Sequence, residues 1–71
     1  MTKTSPSTQA AQEVAATEHE LAAAVAAFQG AVFRGDAARL RIATEAAHAA
    51  LQAHLDAKAS AWAVTKREHG L

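Results

Sequence analysis

The sequence predicts an all-α fold, an antiparallel hairpin of two long helices that span about residues 7–34 and 37–68. Three observations support this prediction. The chain is rich in alanine, the residue with the strongest helix preference. Larger apolar residues recur at helical spacing on both sides of position 35. A glycine followed by an aspartate, Gly35-Asp36, interrupts that pattern near the middle of the chain.

The segment around Gly35 and Asp36 is expected to end one helix and begin the next. Glycine suits the left-handed position just past a helix end because it has no Cβ to clash. Arg34 places a cation near the negative end of the first helix dipole. Asp36 is a favourable N-cap, since its carboxylate accepts from the free amides of the next turn. A link of about two residues requires the helices to lie antiparallel.

The first six residues are polar and contain Pro6, so residues 1–6 are expected to form a flexible tail before a single hairpin domain of residues 7–69. Ser5, followed by Pro6 at the first helical position, and Ser7 are alternative N-caps for helix 1. Gly70 marks the expected end of helix 2.

The larger apolar residues predict which helix faces meet in the hairpin. In helix 1 their spacing is that of a heptad seam. In helix 2, Leu40, Leu51 and Trp62 are eleven residues apart, which predicts a nearly straight helix. Folding the chain at Gly35 brings Glu18 near His54. The expected hairpin core comprises Val14, Leu21, Val25, Phe28, Val32, Leu40, Leu51, Leu55 and Trp62.

Composition predicts a thin hydrophobic core. Apolar residues make up 51% of the 71 residues, but alanine, which removes little surface from water, accounts for most of them. There is no cysteine, so no disulfide can compensate. We therefore expect the hairpin to oligomerise into a helical bundle or to dock on a larger protein assembly.

Charge and hydropathy narrow the classes of partner. Seven basic and seven acidic residues give a formal charge of zero, which makes nucleic acid an unexpected partner. No apolar run approaches the ~18 residues of a membrane span, and no signal-peptide pattern is found. The expected location is the cytoplasm, or a particle assembled there. The alanine-rich composition suggests a phage or bacterial source.

Residues with chemical potential are few. Glu45 and His48 form an E-x-x-H pair that, with Glu18, resembles the ligands of a di-metal four-helix bundle. Helical-wheel counting turns Glu45 and His48 away from the seam, so surface solvation is the favoured interpretation. Neither a cofactor site nor a catalytic set of residues is expected.

Five residues near the turn are candidates for intermolecular contact. Phe33 and Ile42 lie off the predicted seam, and we expect them to touch another protein chain. Arg34, Arg39 and Arg41 gather at the same end, where they could contact an anionic partner; the alternative is solvation with an ion pair to Asp36.

The expected function is that of a non-enzymatic structural or interaction module, a self-associating helical hairpin such as a small phage or bacterial structural protein. The alternatives are a small regulatory partner of the antitoxin or anti-repressor kind, and a di-metal bundle using Glu45 and His48.

Overall fold

The computed structural model describes residues 5–70, which form two α-helices packed against each other, α1 (Pro6–Arg34) and α2 (Ala37–Glu68). The predicted all-α hairpin is confirmed. The Cα atoms extend over 50 × 28 × 13 Å, so the molecule is a flat slab one helix thick. The expected tail of residues 1–6 overlaps α1 at Pro6, and its residues 1–4 lie outside the described residues.

Helix α1 begins at the first of the two candidate caps. The Ser5 hydroxyl accepts from the Thr8 backbone N–H at 3.2 Å, and Pro6 occupies the first helical position, where a missing N–H costs nothing.

The turn between the helices satisfies the backbone groups on both sides. Gly35 has φ 68° and ψ 26°, and its N–H donates to the Val32 carbonyl at 3.1 Å. The Asp36 N–H donates to the Ala31 carbonyl at 3.3 Å. The Asp36 carboxylate accepts from the Arg39 backbone N–H at 3.0 Å, which caps α2. At the other end of α2, Gly70 also has φ 68°.

The seam, defined here as the buried and half-buried residues at the two inward heptad positions of each helix, runs along both helices, and Gly30 and Thr65 are half-buried beside it. Most of its members are small. In α1 the seam consists of Ser7, Ala10, Val14, Thr17, Leu21, Ala24, Phe28 and Ala31, and in α2 of Leu40, Ala43, Ala47, Ala50, His54, Ala57, Ala61 and Val64.

The seam differs from the predicted hairpin core. Val14, Leu21, Phe28 and Leu40 are half-buried on the seam, as expected of core residues. The other five predicted core residues have exposed fractions of 39–61%, and their assignment to the core is wrong. The eleven-residue spacing proposed for helix 2 is also wrong, because its buried positions alternate by three and four. The five exposed residues are Val25, Val32, Leu51, Leu55 and Trp62.

The register of the hairpin explains why the two helices meet along small residues and not along the predicted core. It is fixed by the two-residue turn and by a hydrogen bond between Thr17 and His54. Methyl-sized side chains opposite larger ones allow two helices to approach closely and pack without voids. Counted from the Thr17–His54 pair, each larger seam residue of α1 falls opposite an alanine: Val14 opposite Ala57, Leu21 opposite Ala50 and Phe28 opposite Ala43.

Candidate interaction surface

The slab has two broad sides with different chemistry. In an antiparallel heptad pair, the same flanking heptad position of both helices lies on one side of the seam. Each broad side of the slab therefore combines one flank of α1 with the matching flank of α2. We call one side the large-residue side; it carries the five exposed residues Val25, Val32, Leu51, Leu55 and Trp62. The opposite side contains a shallow groove lined mainly by alanines, which we call the alanine groove.

The large-residue side carries an oblique apolar stripe. Val25 and Val32 lie on the half of α1 nearest the turn, with exposed fractions of 39% and 53%. Leu51 lies near the middle of α2, and Leu55 and Trp62 lie farther from the turn; the three expose 42%, 51% and 61%. The stripe therefore crosses the slab from one helix to the other. Because several large apolar residues are exposed on this side of a small chain, it is the candidate interaction surface.

Two opposite charges border this stripe. Glu18 on α1 and Lys58 on α2 are both exposed, and both occupy the heptad position that flanks the seam on the large-residue side. Neither forms an ion pair within residues 5–70, where Arg39–Asp36 is the only pair. Both charges are therefore available to a partner that covers the stripe.

The buried polar centre of the hairpin joins Thr17 and His54. His54 is only 7% exposed, and its Nδ1 lies 2.9 Å from the Thr17 hydroxyl oxygen. That hydroxyl also donates to the backbone carbonyls of Glu13 and Val14, at 2.9 and 3.0 Å. With the hydroxyl hydrogen directed at a carbonyl, Nδ1–H is the donor to the oxygen. Glu18, which folding at Gly35 was expected to bring near His54, is exposed, and Thr17 is the residue that contacts His54.

The alanine groove encloses about 630 Å³ near the turn. Arg34, Arg39 and Ile42 line it together with small residues of both helices. The Nε atom of Arg39 lies 3.4 Å from an Asp36 carboxylate oxygen, in the ion pair considered as the alternative to anion binding. Because the two side chains are 70% and 40% exposed, this pair contributes little stability.

The remaining contact candidates do not form one surface. Phe33 is 94% exposed and its heptad position lies on the outer edge of α1. Ile42 is 67% exposed and faces the alanine groove near the outer edge of α2. Arg41 is exposed on the same flank of α2 as Leu55 and Trp62. The role of Phe33 and Ile42 in contact with another chain stays a prediction, but one flat partner cannot cover both.

The candidate metal ligands are spread over different faces. Glu45 and His48 line a shallow surface depression with Ala49 and Gln52 on the outer side of α2. Glu18 belongs to α1 and borders the large-residue side. Within residues 5–70, no three His, Cys, Asp or Glu side chains are grouped so that they could hold a metal ion.

Comparison of the chain with protein-family models, with curated proteins and with solved structures finds no match. In the part of the chain that the structure describes, neither helix combines the length and apolar character that crossing a bilayer requires.

Sequence reasoning missed the column of small residues that lies in the seam of α1. Ala10, Thr17, Ala24 and Ala31 repeat every seven residues, and this spacing is visible in the sequence. Val25 and its heptad neighbours were predicted to be buried instead, because burial of larger apolar side chains removes more surface from water. The polar member, Thr17, was the available signal, since it comes to lie opposite His54.

Proposed function

We propose that this protein is a non-enzymatic interaction module that joins copies of itself, or docks on a larger protein assembly, through its large-residue side. The observation that supports this proposal is the division of its apolar residues. Half of the seam residues are alanines, whereas Leu55 and Trp62 are more than half exposed. Much of the apolar surface of the hairpin's larger side chains is therefore still exposed to water.

The energies agree with this division. Complete burial of a valine, leucine or larger apolar side chain contributes about 1.5–3 kcal/mol, and a methyl-sized group contributes about 0.8 kcal/mol. Covering the exposed parts of five such side chains would therefore add several kcal/mol of stability. That amount is comparable with the whole stability expected of a chain this short.

Light scattering across a series of micromolar concentrations tests self-association. The chain is expected to assemble, and Leu55→Glu is expected to abolish assembly because it places a charge in the apolar contact. Ile42→Glu is the matched control, since it changes an exposed apolar residue on the opposite side of the slab. Circular dichroism should show unchanged helicity in both variants.

The outcomes separate the possible contacts. Loss of assembly in Ile42→Glu alone would place the contact in the alanine groove, and loss in Phe33→Glu alone would place it at the turn end. A well-folded wild-type monomer at every concentration would reject self-association and leave docking on another protein.

A further inference from the structure

We infer that the alanine side, the broad side of the hairpin that contains the alanine groove, binds a second copy of this chain with the two turns at opposite ends. This inference goes beyond the proposed function, which concerns the large-residue side. In the arrangement, a two-fold axis crosses both helices at right angles, so that α1 lies over the partner's α1 and α2 over the partner's α2.

Two depressions lie on the alanine side at different distances from the turn. The alanine groove is close to the turn and is lined by Arg34, Arg39 and Ile42. A second depression of about 440 Å³ lies farther along, where Glu13 and Asp56 line it together with small residues of both helices. The two depressions follow the same flank of each helix, so one partner on this side can cover both of them.

The charges of the alanine side are separated along the hairpin. The heptad places on this side the exposed residues Arg34 and Arg39 near the turn, Glu13, Glu20 and Asp56 farther away, and Arg67 at the end of α2. The carboxylate of Asp36 also lies at the turn, but its two oxygens contact the backbone N–H and the Nε of Arg39. The guanidinium of Arg34 and the terminal nitrogens of Arg39 are therefore available to carboxylates of a partner.

A single position of the partner brings these charges together in unlike pairs. Since Thr17 and His54 are level, heights along the hairpin are counted in residues from the middle of the turn. Arg34 and Glu13 then have heights of 1.5 and 22.5, and Arg39 and Asp56 have heights of 3.5 and 20.5. Each pair of heights adds to 24. A partner with its turn at the opposite end, at the height of 24, therefore places both arginines over acidic residues, twice in each dimer.

Neither pair can form within one hairpin. Arg34 and Glu13 are 21 residues apart on α1, or about 32 Å, and Arg39 and Asp56 are 17 residues apart on α2, or about 26 Å. With the turns at the same end, α1 would instead lie over the partner's α2. Arg34 would then meet Arg39, Glu13 would meet Asp56, and like charges would repel. The charge pattern therefore selects opposite turns.

The apolar residues of this side fit the same position. Ile42, at a height of 6.5, is the largest apolar side chain that the heptad places on this flank. It falls over the partner's Ala53, which lines the second depression. Glu20 falls over the partner's Ala27, about 10 Å along the helix from the partner's Arg34. Larger side chains of one copy therefore meet methyl groups of the other, which allows close packing.

The overlap has the size of a specific but weak contact. It is 24 residues long, about 36 Å, and two helices wide, about 20 Å, which approaches the ~800 Å² that a stable interface covers on each partner. Most of the covered side chains are alanines, so burial contributes less here than on the large-residue side. We therefore expect this dimer at concentrations on the order of hundreds of micromolar, above those at which the large-residue side assembles.

The variant Leu55→Glu, which disables the large-residue side, is the background for the test. Analytical ultracentrifugation of this variant at concentrations up to about 1 mM is expected to show a dimer. A monomer at every concentration would overturn the inference and leave the proposed function intact. Wild-type chain that is monomeric at micromolar concentration, with a dimer of Leu55→Glu at high concentration, would reject the proposed contact and support this one.

Charge reversal in that background tests the pairing. Arg34→Glu and Glu13→Lys are each expected to raise the dimer dissociation constant about three- to tenfold, since each replaces two attractions by two repulsions. Together they should return the constant to within about twofold of the background. If the turns lay at the same end, Arg34→Glu would strengthen the dimer, because it relieves a repulsion, and that result would overturn the orientation.

The matched control combines Arg34→Glu with Glu18→Lys. It has the same net charge as the recovering double variant, but its new cation lies on the large-residue side, so the dissociation constant should stay raised. Equal recovery of both double variants would overturn the pairing, because net charge alone would then account for it. Circular dichroism of each variant checks that helicity is unchanged.

A spin label on Lys66→Cys, an exposed site near the far end of α2 in a chain without cysteine, reports the orientation directly. Opposite turns predict labels about 55 Å apart, whereas turns at the same end predict labels within about 30 Å. A dimer of the Leu55→Glu background with the shorter distance would overturn the inferred arrangement.

Discussion

Among individual residues, Thr17 and His54 form the only side-chain hydrogen bond that joins the two helices within residues 5–70. Thr17→Val removes the oxygen that lies 2.9 Å from the buried Nδ1 of His54 and leaves that nitrogen without a partner. We expect a loss of about 1–3 kcal/mol in the free energy of unfolding, measured by urea denaturation. Thr44→Val is the matched control, because its exposed hydroxyl bonds only to the Leu40 carbonyl. Equal stability of both variants would show that the Thr17–His54 bond contributes nothing.

Alanine substitution at two glycines, one in the turn and one inside α1, should have opposite effects on the stability of the hairpin. Gly35 has φ 68°, so Gly35→Ala should destabilise the hairpin by about 1–2 kcal/mol. Gly30 lies inside α1, and a Cβ there would meet no atom within 4 Å. Gly30→Ala should therefore stabilise by about 0.5–1 kcal/mol. Thermal melts of the two variants, compared with the wild type, measure both effects. A shift in the same direction for both would contradict the assigned turn.

At the level of the helices, the sequence predicted the elements but not the rotation of each helix about its axis. Gly35 and Asp36 act through local backbone chemistry, which can be read from neighbouring residues alone. The rotation depends on how closely two helices can approach, and that is a property of residue pairs distant in sequence. Leu51 was ranked above Ala50 for burial, yet Ala50 leaves space for Leu21. For the same reason Leu51 was predicted to lie in the core, whereas the structure places it on the candidate interaction surface.

Close approach of the helices makes the seam intolerant of larger side chains. Ala50→Leu inserts three carbon atoms opposite Leu21 and is expected to destabilise the hairpin by about 1–3 kcal/mol. Ala49→Leu makes the same change one residue earlier, on the exposed side of α2, and should stay within about 0.5 kcal/mol of the wild type. Chemical denaturation compares the two. If Ala49→Leu were the more damaging change, the described seam would be misplaced.

For the whole molecule, a single layer of helices means that folding and association should be linked. If the second copy supplies much of the apolar burial, the stability of the fold will depend on chain concentration. A tenfold increase in chain concentration is expected to add about 1.4 kcal/mol to the free energy of unfolding of the dimer. The melting temperature should rise by a few degrees. Melting curves recorded by circular dichroism over two decades of concentration test this. Superimposable curves would show that the hairpin folds alone.

The exposed position of Trp62 gives the molecule a built-in optical reporter. It is the only tryptophan in the sequence, and there is no tyrosine to obscure it. In the isolated hairpin its indole is 61% exposed, so its fluorescence should have the long-wavelength emission of a hydrated ring. Coverage of the large-residue side would shift the emission to the blue and shield the ring from dissolved quenchers. An unlabelled sample can thus report its own state of assembly.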